Sequence, residues 1–137
     1  MEVNVVGTAY EHLCQALMGG SVMMLGLHRG YDGILRRMDS PYKGAKILAG
    51  ASAGEVIFYD PKRKLEEAQF QACIEKPLDD KKWNEVKARL LKLDAMFGFG
   101  LYSENNHIAA HIDGRVQTLT PDDFRWVRPK GELEGYH

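Results

Sequence analysis

Cysteine is scarce in this chain. Cys14 and Cys73 are the only two in 137 residues, and they stand far apart. That spacing builds neither a disulfide framework nor the close pairs of a zinc site, so both are expected as buried, reduced thiols. Net charge is nearly absent too: 18 Lys and Arg face 19 Asp and Glu. No large positive field is available to gather a nucleic-acid backbone, which leaves only a local patch for such binding. Long apolar runs are missing as well. The longest, "VMMLGL" at 22–27, is far too short to cross a bilayer. The N-terminal stretch carries Glu2 and Glu11 without a basic start, unlike a secretory signal. These absences predict a cytoplasmic protein with no membrane partner.

Catalytic and cofactor signatures are equally thin. There is no GxSxG elbow, and the small-residue linker "ASAG" at 51–54 lacks the Lys-Ser or Lys-Thr ending of a P-loop and the glycine spacing of a dinucleotide fold. No cofactor or metal is called for.

What is present suits one globular domain. The chain is 45% hydrophobic and 27% charged, and a domain of this length hides roughly two-thirds of its unfolded surface. We expect a single α+β domain over residues 1–128 and a mobile polar tail over 129–137. Thr8 and Glu11 form a capping box for a short N-terminal helix from Ala9 to Met18, closed by Gly19 and Gly20. "SVMMLGLHRG" reads as a buried strand ending beside a Gly-rich turn, and 31–44 as an irregular connection. "AKILAG" and "EVIFYD" predict a hairpin. Asp60 and Pro61 predict a helix over 61–75, whose opening "KRK" at 62–64 opposes the helix dipole and would let the basic residues face a partner. The clearest helix is "DDKKWNEVKARLLKLDAMFG", with Trp83, Val86, Leu90, Leu93 and Phe97 at helical spacing, Asp79 as cap and Gly98 as stop.

The C-terminal segment predicts a three-stranded meander. An Asn105-Asn106 turn sets Glu104 opposite His107 and Tyr102 opposite Ala109, and brings Gly100 opposite His111. A bulged three-residue loop at Asp113-Gly114 would then set His111 against Gln117 and keep apolar residues on one face. "TPDDF" reads as a capped helical turn running through Val127 to Pro129. The fold expected is therefore an antiparallel or mixed sheet with this meander, packed on two main helices plus the short N-terminal one.

One sheet face would gather Tyr102, Glu104, His107, His111 and Gln117. Gly100 would leave room for a ligand there. Glu104 beside His107 is the pairing a general base needs, because the carboxylate fixes the imidazole tautomer and raises its pKa. A polar outer face of an antiparallel sheet is equally ordinary. Histidines four apart on a strand lie roughly 13 Å apart and cannot share one ion. "FRWVRPK" interleaves aromatics with Arg125 and Arg128, so Arg125, Trp126 and Arg128 are candidate partner contacts. The expectation is a small binding or interaction protein that takes a small molecule or protein partner, or a second copy, through the polar sheet face. The alternatives are a hydrolase- or lyase-type enzyme using Glu104 and His107, and a weak nucleic-acid module.

Overall fold

The computed structural model describes residues 2–5, 20–42, 47, 54–98, 101–104 and 107–129. In chain order the elements are β1 (Glu2–Val5), β2 (Ser21–Met24), β3 (Leu27–Arg29), β4 (Leu35–Arg37), β5 (Glu55–Tyr59), β6 (Cys73–Lys76), α1 (Asp80–Phe97), β7 (Tyr102–Glu104), β8 (His107–Ile112), β9 (Arg115–Leu119) and β10 (Phe124–Pro129). Short 3-10 turns occupy Glu67–Phe70 and Pro121–Asp123. The main sheet has the order β1-β2-β5-β10-β6, in which β1, β2 and β5 are parallel and β10 runs antiparallel to both its neighbours. A β3-β4 hairpin and the β7-β8-β9 meander complete the architecture. No described helix is long and apolar enough to cross a membrane.

The inner strands of the main sheet feed cores on both of its faces, and β5 is covered along its whole length. Met23, Ile57, Tyr59 and Phe124 face α1 and the meander in one core; Val22, Met24, Val56, Phe58 and Val127 face Tyr42, Ile47 and Leu65 in the other. Burial on both sides removes the apolar-polar alternation by which strands are usually recognised. This explains why "FRWVRP", expected as a helical turn, is instead an inner strand of the sheet. Both edges of β5 are taken, by β2 and β10; the stretch 45–50, expected to form a hairpin with it, lies outside the described residues except for Ile47.

The helices are corrected most. Only α1 is an α-helix among the described residues. Asp79 caps it by accepting the Lys82 amide at 2.7 Å, and Gly98, at φ 64°, closes it with its amide on the Asp94 carbonyl at 2.8 Å. Val86, Leu90 and Leu93 point into the core, with Leu78 and Trp83 packed beside them. Asp79→Ala should cost about 1 kcal/mol, visible as a lower denaturation midpoint followed by circular dichroism. The expected helix over 61–75 is absent, because Asp60 folds its carboxylate back onto the Lys64 and Leu65 amides at 2.8 and 3.1 Å, and Cys73–Lys76 pair with β10 instead. Helix propensity there yields to the strand partner. The expected N-terminal helix falls outside the described residues, as does the tail from 130 onward; Pro129 itself belongs to β10.

Two smaller corrections shape the site. The strand expected over 21–30 breaks at Leu25-Gly26, and the irregular 31–44 segment contains β4. Gly26 has φ +62°, and a Cβ there would lie 2.8 Å from the Pro41 Cα, so this crossing requires glycine.

Candidate functional site

The meander keeps part of its expected register. Glu104 pairs with His107, Ser103 with Ile108 and Tyr102 with Ala109, as a two-residue turn demands; the Asn-Asn turn and Gly100 lie outside the described residues. Ile108, Ala110 and Ile112 point into the core while His107 and His111 are exposed. The β8-β9 register differs from expectation. Asp113 and Gly114, at φ 57° and 78°, make a two-residue turn that pairs Ile112 with Arg115, His111 with Val116 and Ala110 with Gln117. Gln117 therefore turns inward, where its amide donates to the Ile112 carbonyl at 2.9 Å, and Val116 stands 52% exposed beside His111. The reason is tertiary. The Asp113 amide donates to the Leu35 carbonyl at 2.7 Å, and its carboxylate accepts the Arg37 amide and Nε at 3.1 and 2.9 Å. Docking this turn on β4 outweighs exposing one valine.

The candidate partner contacts on β10 do not share a surface. Strand alternation sends Arg125 to one face and Trp126 and Arg128 to the other. Arg125 lies over the Phe70 ring at 4.2 Å and donates to Glu75 at 2.6 Å and to Asp60 at 3.3 Å. Burial pushes its pKa down, and the two carboxylates more than offset this. The Trp126 indole donates to Glu55 at 2.9 Å. Glu55 also accepts Lys82 at 2.7 and 2.8 Å and the Ser21 hydroxyl at 2.7 Å, and the Arg89 guanidinium donates to that hydroxyl at 2.5 Å. Lys82 and Arg89 fall on the same helical stripe as Val86 and Leu93, so the spacing that located the apolar face also marks these two cations as internal.

A polar cleft opens where the parallel strands end. It holds about 250 Å³ and is lined by Leu25 and Gly26 beyond β2, by Tyr59, Asp60, Lys62 and Lys64 at the end of β5, and by Arg37, Asp39, Pro41 and Asp113. Parallel sheets commonly bind ligands at such carboxyl ends. The basic triplet divides across this end of the sheet. Lys62 and Lys64 line this cleft, whereas Arg63, held at φ 54°, lines a neighbouring one of about 430 Å³ with Glu75, Lys76 and Asp122. The left-handed turn at Arg63 accompanies this division of the three side chains between two clefts.

Tyr59 forms the cleft's inner wall. Its ring packs on Phe124 with centroids 5.2 Å apart, and the residue is only 4% exposed. Burial pushes its pKa up to about 12, with Arg37 opposing and Asp123 and Asp113 adding to the shift, so it remains a neutral hydroxyl. That hydroxyl has no hydrogen-bond partner among the described residues. Every fully buried side-chain nitrogen or oxygen among them does have one, so the Tyr59 hydroxyl is not sealed from solvent, and Arg37 and Asp113 of the cleft lining are among the charges that act on it.

Of these cleft residues the sequence marks only the "KRK" triplet as a candidate contact, through its placement against the expected helix dipole; Asp60, Pro61 and Asp113 read there as a helix start and a turn. Comparison of the chain with family models, with curated proteins and with solved structures finds no match.

Proposed function

We propose that the protein is a binding domain that takes up a small polar ligand in the cleft at the carboxyl ends of β2 and β5. The observation that carries this reading is the unpartnered hydroxyl of the otherwise buried Tyr59 in the cleft wall. A hydroxyl held at the wall of a cleft can exchange its water for a ligand atom, and a cleft bordered by convergent polar groups is the form small-molecule sites take. A second reading, partner binding across the outer face of β8 and β9, is favoured by the exposed Val116 opposite the exposed His111.

Nuclear magnetic resonance screening of small polar compounds separates the two. The cleft reading expects amide shifts grouped at Gly26, Arg37, Tyr59 and Lys62. Shifts confined to His107, His111 and Val116 would transfer the function to the sheet face, and their joint absence would refute the cleft reading.

A further inference from the structure

We propose that the cleft's ligand is a small organic anion whose carboxylate or phosphate is held by Lys62, Lys64, Arg37 and the Tyr59 hydroxyl. This rests on the cleft being the binding site.

Most of the uncommitted groups that line the cleft are donors. Three carboxylates line the cleft, but two are already engaged. Asp113 is bound by the Arg37 amide and Nε, and Asp60 accepts the Lys64 and Leu65 amides and the Arg125 guanidinium. Only Asp39 remains among the acids. On the other side, Lys62 and Lys64 make no side-chain hydrogen bond or ion pair among the described residues. Arg37 spends its Nε on Asp113 and leaves its two terminal nitrogens without a partner there. The free groups are thus two ammoniums, half a guanidinium and one phenol against a single exposed carboxylate. All but the last are donors, so the complementary ligand is an acceptor that carries negative charge.

Size narrows the class. A volume of about 250 Å³ lies just below the range of about 300–1,000 Å³ usual for small-molecule sites. A short-chain acid or a small phosphate ester fits within it. Both engaged acids also have a part in this arrangement. Asp60 pins the backbone from which Lys64 projects, and Asp113 fixes the plane of Arg37, so the donors are held before the ligand arrives.

The test titrates succinate, inorganic phosphate, glycerol and tetramethylammonium separately into the full chain while the amides of Gly26, Tyr59, Asp60, Lys62 and Lys64 are followed. We expect succinate or phosphate, and neither of the uncharged or cationic probes, to move these amides saturably; whichever anion binds more tightly identifies the acidic group. A Lys62→Gln, Lys64→Gln double variant should weaken that anion at least tenfold, and Tyr59→Phe about fivefold. Both lysines are exposed, so unchanged shifts elsewhere will show that the double variant is folded. Raising the salt should weaken binding in the wild type more than in the double variant. Glycerol or tetramethylammonium binding as well as the anions would overturn the anion assignment while leaving the cleft as the site. Cleft amides unmoved by every probe would overturn both.

Discussion

Lys82→Met should lower the stability of the fold by about 3–5 kcal/mol, read as a fall in the urea midpoint at neutral pH. Lys82 and Glu55 meet at 2.7 Å with side chains only 10% and 11% exposed. Removing the cation leaves Glu55 charged in a dry place with Ser21 and Trp126 as its remaining donors. The loss of one partner is worse than the loss of both, so Glu55→Leu combined with Lys82→Met should recover part of the deficit. The pH dependence follows from the same group. Burial pushes the Glu55 carboxyl up, but Lys82, Ser21 and Trp126 hold it below its ordinary 4.5. A carboxyl depressed in the folded state contributes its stability above about pH 4.5 and loses it as pH falls through the lower folded value. In Lys82→Met burial is no longer offset by the ion pair, so the folded Glu55 carboxyl rises and this loss on acidification should shrink or reverse.

Asp60→Ala is the second large effect, and it strikes the cleft directly. The carboxylate is 2% exposed and receives two backbone amides and the Arg125 guanidinium. Stripping three donors of one acceptor should cost about 2–4 kcal/mol, or roughly 10 °C in Tm. Arg125 keeps Glu75 at 2.6 Å, which limits the damage on that side. Asp60→Asn retains an acceptor oxygen and should restore about half of the loss. Equal Tm values for Asp60→Ala and wild type would show that this turn is not held by its carboxylate.

The sequence made some of this legible and concealed the rest for identifiable reasons. α1 was readable because its inner stripe repeats at helical spacing, Asp79 precedes it and Gly98 ends it. The β7-β8 register was readable by counting outward from the turn. Residues 61–75 misled because "KRKLEEAQFQACIEK" is rich in helix formers, while the structure uses Asp60 to turn the chain and β10 to extend Cys73–Lys76. That competition is decided by a partner some fifty residues away in the chain, as the Arg125–Glu75 pair illustrates. The β8-β9 turn misled because apolar segregation favoured a bulge, whereas Arg37 and Leu35 hold Asp113 in the shorter form. Of the expected site residues, His107 and His111 are exposed, Gln117 turns inward, and Arg125 and Trp126 are engaged by carboxylates. The cleft was hidden because its donors come from β4, from the end of β5 and from the turn that follows it, which only the folded sheet brings together.

The central claim is that ligand recognition belongs to the cleft and not to the histidine-bearing sheet face. Calorimetric titration of the small molecule that binds the wild type most tightly, into two double variants, tests it most directly. We predict that Lys62→Gln with Lys64→Gln weakens binding at least tenfold while His107→Ala with His111→Ala leaves the Kd unchanged. Loss of binding in the histidine variant, with the lysine variant unaffected, would contradict it.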